Sequence, residues 1–371
     1  MLNMIDYITW RGDLSFSDIR PCEVDGIIFA MMSYIDYKKL CDSKSMKLCD
    51  IARNYCADGK YDSVNLGLIM PSKQINKMFC RAASSKRFGN TVVSDFVART
   101  SDEEVYQFCA LTFHLPGKRM MVTFRGTDDT IAGYREDCCL SFLDEIPAQR
   151  MAVEYLNEMA RKYPDERIYI TGHSKGGNLA LYSAVNCLDE VKPRIVRAFS
   201  NDGPGLSYKM VNSDKFRAMQ RKLSVIIPQS SFIGIMFEKG EKYTVVKSEG
   251  KGPFQHDPFS WELEGPAFIK LSELSKSGKK NEEQFKAGMS RMTTEEKKQF
   301  VDTFFSMVES TGVRTLSDFS DKGIAKLITL IKTYKGLDKD VRELMLGLLF
   351  KLFDINLPIR SKEKTNKQKN G

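Results

Sequence analysis

The sequence predicts an α/β fold, a mostly parallel sheet flanked by helices, followed by a C-terminal all-α region. Up to about Trp261, short runs rich in β-branched and aromatic residues alternate with segments of helical apolar spacing. After Pro266 glycine thins out and helical periodicity takes over. Between these patterns of spacing, Gly172-His173-Ser174-Lys175-Gly176 sets a serine between a β run and a helix-forming stretch.

Each element follows from local chemistry. Residues 104–115 (EVYQFCALTFHL) read as a strand, Pro116-Gly117 as a turn and residues 119–124 (RMMVTF) as a second strand, so the two predict a hairpin. Val153, Leu156, Met159 and Ala160 give residues 148–163 a helical face, which Pro164 ends. Residues 167–171 form a short β run, and 178–188 a helix. Residues 194–200, 223–227 and 243–246 are the remaining strands. Beyond Pro266, Thr293 and Glu296 have the spacing of a capping box. Residues 340–353 carry an apolar helical face of Val341, Leu344, Met345, Leu348, Leu349 and Leu352. These patterns divide the chain into an α/β domain at 1–266, a helical region at 267–358 and a basic, disordered tail at 359–371. The apolar faces of the helical region are expected to pack among themselves and onto the α/β core. A lid, a partner surface or a peripheral membrane contact would use the same faces.

Composition excludes several function classes. With 371 residues, 42% hydrophobic and 28% charged, the chain has material for a sizeable core. The net charge is +8, but residues 360–371 hold five basic side chains against one acid, half of that total. The folded body therefore lacks the patterned basic surface that nucleic-acid binding requires. Nine cysteines are scattered singly apart from Cys138-Cys139, no Cys-x-x-Cys occurs, and only three histidines exist. That supports neither a disulfide framework nor a metal site, and no cofactor motif stands out. The thiols read as buried apolar residues in a reducing compartment. No signal peptide opens the chain and no 18-residue apolar stretch occurs, so a cytoplasmic location is expected, with export lacking a cleaved signal left open.

The glycine-flanked serine carries the chemistry. Gly172-His173-Ser174-Lys175-Gly176 fits G-x-S-x-G, and Gly177 adds a third glycine. In the strand-turn-helix of an α/β-hydrolase, such a turn lifts the serine hydroxyl above the carboxyl end of the sheet. Glycines at 172 and 176 remove side chains that would collide with neighbouring backbone. The N–H of Lys175, at the helix start, then points toward a developing oxyanion.

Serine needs a base, and three histidines are on offer: His114, His173 and His256. His173 adjoins the serine too closely to act on it. His114 precedes it, against the Ser–acid–His order of this fold. His256 remains, in a loop-like segment after the last predicted strand. For the acid, Asp202 in Ser200-Asn201-Asp202-Gly203-Pro204-Gly205 directly follows a predicted strand. A carboxylate there would hold the imidazole in one tautomer. A turn-forming Asp is its bland alternative, and Asp257 is the fallback acid. Thr127, in Phe124-Arg125-Gly126-Thr127-Asp128 after a strand, offers a second oxyanion N–H and a hydroxyl.

These motifs resemble the class 3 lipases: a strand ending Phe124-Arg125-Gly126-Thr127, the Gly172–Gly177 elbow, and the order Ser, Asp, His. Within that group the chain is similar to an uncharacterised bacterial lipase-like family. The shared text includes residues 6–13 (DYITWRGD), the elbow followed by Asn178, the 202–205 turn, and His256-Asp257 before Trp261. The resemblance covers roughly residues 1–265. It implies Ser174 as nucleophile, His256 as base, and the N–H groups of Thr127 and Lys175 as oxyanion hole. Class 3 lipases usually carry the acid one strand later, where this chain has Ser230-Ser231. Asp202 instead resembles the position used in pancreatic-type lipases. Lys175 also departs from the apolar residue common beside a lipase serine, and is expected either to attract an anionic substrate or to face solvent.

The function expected is hydrolysis of a carboxylic ester, of a small molecule or lipid, through an acyl-enzyme. The alternative is a non-catalytic α/β-hydrolase relative that binds a ligand or partner.

Overall fold

The computed structural model describes residues 2–38, 45–57, 72–240, 242–315, 318, 328, 329 and 331. Its strands are β1 (Met46–Lys47), β2 (Val92–Ser101), β3 (Tyr106–Leu115), β4 (Arg119–Phe124), β5 (Arg167–His173), β6 (Ile195–Asn201), β7 (Leu223–Pro228), β8 (Thr244–Val246), β9 (Leu263–Glu264), β10 (Ala267–Phe268) and β11 (Lys270–Leu271). The helices are α1 (Met4–Arg11), α2 (Glu23–Met32), α3 (Leu48–Ala57), α4 (Ser72–Ala83), α5 (Lys86–Gly89), α6 (Ile131–Cys139), α7 (Pro147–Lys162), α8 (Lys175–Asn186), α9 (Tyr208–Val211), α10 (Asp214–Met219), α11 (Lys276–Ser290) and α12 (Thr294–Glu309).

One mixed sheet dominates, in the order β1-β2-β3-β4-β5-β6-β7-β8-β11. Its first four strands pair antiparallel, and β4 through β8 run parallel. The expected hairpin is present, with Leu115 opposite Arg119. Alternation along β5 shows why both faces need cover. Ile168 and Ile170 pack with Leu156 of α7 and Leu179 of α8, while Tyr169 joins the cluster containing α2. Helix α2 is apolar almost throughout, and every residue from Val24 to Met32 is buried. Gly26 lets it lie close: a Cβ there would sit 2.9 Å from the Phe199 ring. The hydroxyl of Thr171 donates to the Gly26 carbonyl at 2.8 Å.

Several elements differ from the sequence expectation. Strand β2 and helices α1 to α5 lie in a region where no element was expected. Strand β2 is polar in places and bulged between Ser94 and Val97, which breaks its period-two pattern. Residues 267–271 are not helical but form β10 and β11. Helices α11 and α12 follow. The capping box closes as its spacing predicts, with Glu296 N–H donating to Thr293 Oγ1 at 3.2 Å and Thr293 N–H to Glu296 Oε2 at 2.7 Å. The apolar face of α12, including Phe300, Phe304 and Val308, packs with Ile131 of α6. The helix expected at 340–353 and the basic tail lie outside the described residues. Cys80 is disulfide-bonded, one bridge where the sequence supported none.

Strand β11 returns antiparallel to β8, with Lys270 opposite Val246 and Leu271 opposite Val245. Residues 247–269 therefore leave and rejoin the sheet at one edge, and His256 lies within that excursion.

Candidate active site

Ser174 occupies the junction between β5, which ends at His173, and α8, which begins at Lys175. Its backbone has φ 57° and ψ −132°, a conformation that non-glycine residues adopt only when the surroundings enforce it. The surroundings are glycines packed against backbone. A Cβ on Gly172 would lie 2.0 Å from the Gly176 carbonyl oxygen, and one on Gly176 would lie 2.1 Å from that of Phe124. One on Gly177 would lie 2.7 Å from Ser200 Oγ. Strands β4 and β6 thus close on the turn from both sides.

Two of the other expected site residues meet. His256 Nδ1 donates to Asp202 Oδ2 at 2.6 Å. A carboxylate only accepts, so in the neutral ring this bond leaves Nε2 without its proton. Asp202 follows β6 in a left-handed conformation, φ 49°, which Asp tolerates better than most residues. Its other oxygen accepts from Ser231 Oγ at 2.5 Å and from Gly234 N–H at 3.1 Å. Ser231 is one of the two serines expected in the usual place of the class 3 acid, and it donates to Asp202, which lies one strand earlier. Asp257 bonds the backbone of Phe259 instead, and burial raises its pKa to about 6.

The loop carrying His256 is held from beneath. His173 Nε2 donates to the His256 carbonyl at 2.9 Å, and the two rings lie 4.4 Å apart. Burial, and secondly the neighbouring imidazole of His256, push His173 well below the ordinary histidine pKa, so it stays neutral. Trp261 Nε1 donates to the Gln255 carbonyl at 2.9 Å, and Ser230 N–H to Gln255 Oε1 at 3.0 Å.

Thr127 follows β4 in a loop. A Cβ on its neighbour Gly126 would come within 3.0 Å of Ser174 Cβ. The Thr127 hydroxyl donates to Asp137 Oδ2 at 2.6 Å. Its proton is thereby committed, which leaves the backbone N–H as the donor this residue can offer a ligand. Burial raises Asp137 to about 6, opposed by Lys175 and by the Thr127 bond. Lys175 corrects the sequence reading outright: its side chain neither faces solvent nor reaches toward a substrate. It is 0% exposed, and Nζ donates to Glu136 Oε2 at 2.8 Å and to the Gln107 carbonyl at 2.9 Å. Its backbone N–H belongs to the first turn of α8, where N–H groups lack intrahelical acceptors.

Asn178, one turn further on, donates to the Gly205 carbonyl at 2.7 Å and to that of Pro204 at 3.3 Å, fastening α8 to the loop of Asp202. Sequence reasoning missed Glu136, Asp137, Asn178 and Ser231. Asn178 left a trace as the residue closing the elbow text, and Ser231 as one of the two serines in the usual place of the class 3 acid. A second serine–histidine–acid set exists at the other end of the sheet. Ser94 Oγ lies 2.8 Å from His114 Nε2, whose ring bonds Glu166 at 2.9 Å. The Ser94 hydroxyl there donates to Asp95 at 2.6 Å, and Ser94 lies within β2 rather than at a helix start.

Among the described residues no group of three or more His, Cys, Asp or Glu side chains could hold a metal ion, and no helix is long and apolar enough to cross a membrane.

Comparison with known proteins gives the following. Residues 82–306 match the family model described as Mbeg1-like. No curated protein matches. Among solved structures, the chain is similar to M37 lipase at 13% identity over 58% of this chain and 70% of that one, with a TM-score of 0.38. A mutant form of MDLA from Penicillium cyclopium aligns at 14% identity over 64% and 83%, TM-score 0.38. Lipase II from Rhizopus niveus aligns at 14% over 42% and 67%, TM-score 0.31. Residues 82–306 are more than half of the chain, and this chain belongs to the Mbeg1-like family.

Proposed function

We propose that this chain is a serine hydrolase that cleaves a carboxylic ester, most naturally an acyl or lipid ester, through an acyl-enzyme on Ser174. The observation that carries the reading is the 2.6 Å bond from His256 to Asp202, in a chain whose elbow serine is held in a strained turn. In this scheme His256 Nε2 takes the Ser174 hydroxyl proton as Oγ attacks the acyl carbonyl. Asp202 keeps Nδ1 protonated and stabilises the imidazolium that forms. The N–H groups of Thr127 and Lys175 receive the oxyanion. Collapse expels the alcohol, protonated by His256, and water then releases the acid by the same steps in reverse. The elbow glycines 172, 176 and 177 serve by leaving room for the turn. An acyl-chain substrate is favoured by the class 3 lipase-like motifs and by Phe254, 43% exposed and two residues ahead of the base.

A fluorophosphonate probe tests this directly. Wild type is expected to label, and Ser174→Ala and His256→Ala to lose labelling. Asp202→Asn should keep the fold and lose about 10⁴-fold in kcat on acyl esters. A folded wild type that takes no probe would favour a non-catalytic binding relative. Labelling that survives Ser174→Ala would move the nucleophile elsewhere.

A further inference from the structure

Lys175 and Glu136 are both fully buried, and each bonds partners from other elements. Glu136, on α6, accepts from Lys175 Nζ at 2.8 Å and from Gln107 N–H at 3.1 Å with one oxygen, and from Ala148 N–H at 2.9 Å with the other. Lys175 also donates to the Gln107 carbonyl at 2.9 Å. The start of α8, the middle of α6, the first turn of α7 and the beginning of β3 therefore meet on one ion pair. Such a pair is a poor device for stability, because an apolar pair of similar volume is often as stable or more so. What it supplies is direction: two charges with fixed acceptors and donors permit one arrangement of the elements that carry them.

That arrangement closes a ring around the site. Asp137 follows Glu136 on α6 and holds the Thr127 hydroxyl at 2.6 Å. Thr127 follows Gly126, which abuts Ser174, and Ser174 precedes Lys175. The two residues assigned as oxyanion donors, Thr127 and Lys175, are thus joined twice. One path runs through the backbone around the nucleophile, the other through Lys175, Glu136 and Asp137.

We propose that Lys175 is a positioning residue whose side chain, clamped to Glu136, fixes α6 on the elbow and so sets the spacing of the Thr127 and Lys175 N–H groups. The inference rests on the hydrolase reading for its catalytic consequence, and on the structure alone for the clamp. The Lys175 side chain is fully buried and acts only through what it holds. It holds the first turn of its own helix and, through α6, the loop of the opposite donor.

Three variants of the full chain separate this role from a merely structural one: Lys175→Met, Glu136→Gln and the double variant. Lys175→Met leaves a buried carboxylate unpaired, so it should lower Tm and also lower kcat by about 10²-fold with KM little changed, since donors displaced by about an ångström lose transition-state contacts first. Glu136→Gln alone leaves the lysine with only the longer carboxylate contact, to Asp137 Oδ1 at 3.9 Å, and should do the same. The double variant removes both charges, and the single Gln oxygen still accepts from one of the two backbone N–H groups that Glu136 serves, so Tm should recover part of the way toward wild type. Under the proposal kcat stays low in the double variant because the tether is gone. Recovery of kcat together with Tm would overturn the proposal, as would a folded Lys175→Met with wild-type kcat. Hydrogen exchange across residues 131–139 gives a readout independent of catalysis: α6 should lose protection in Lys175→Met. Unchanged protection would overturn the clamp even in a chain that hydrolyses nothing. A wild type that takes no fluorophosphonate while exchange changes as expected would sink the hydrolase reading and leave the clamp standing.

Discussion

His173 shows how a residue beside the proposed nucleophile can serve without touching the reaction. It spends one ring nitrogen on the carbonyl of His256 and keeps its ring neutral in a fully buried place. An unfolded histidine takes up a proton below about 6.5, whereas this one resists in the folded chain. His173 therefore contributes stability that is present above that pH and is lost as pH falls. Asp137 and Asp257 act with the opposite sign. Both are held near 6 against an ordinary 3.8, so their contributions are present at low pH and are lost as pH rises through that window. In urea titrations from pH 7.5 to 5, His173→Gln should lose stability on acidification less steeply than wild type. Parallel curves would mean that His173 is not held neutral. At this scale the glycine-flanked serine and the scarcity of histidine made Ser174, His256 and Asp202 readable as candidates. Glu136 and Lys175 were not readable, because a lysine in sequence looks solvated until a partner 39 residues away is brought to it.

Among the elements, the junction of β4, β5 and α8 has the least freedom. A methyl group on Gly176 would meet the Phe124 carbonyl at 2.1 Å, a backbone atom that cannot swing aside. Gly176→Ala should fail to reach the native fold, or fold without taking the probe, as read by circular dichroism and labelling together. Gly288 in α11 is the opposite case, with nothing within 4 Å and an ordinary φ. There, Gly288→Ala should raise stability by about 0.5–1 kcal/mol through helix propensity alone. Strands β3 to β7 were legible because each apolar run ends in a turn signal or a glycine. Strand β2 was not, since its pattern is broken by Asp95 at φ 54° and by a bulge. Helix α2 shows no amphipathic face because it is buried all round.

For the whole molecule, the segment after the sheet matters through α12. It covers α6 with Phe300, Phe304 and Phe305, and Arg135 of α6 bonds Asp302 at 3.1 Å and Glu309 at 3.0 Å. Phe304→Ala should cost about 3–5 kcal/mol, visible as a lower Tm, if this packing is part of the same cooperative unit. A Tm unchanged from wild type would mean that α12 unfolds separately. The capping box announced this helix in the sequence, but not where it docks, because periodicity describes a face and never names its partner.

The excursion of residues 247–269 has one more consequence. Its ends are stitched side by side by the β8–β11 pairing, so residues can be added or lost at its exposed turns without altering the register of the nine-stranded sheet. Closing a somewhat longer loop costs little. The base of the proposed hydrolase thus rides on an excursion from the sheet edge, while its nucleophile is built into a tightly packed junction of the sheet. Divergence in what the protein accepts should therefore be written in the length and text of that excursion.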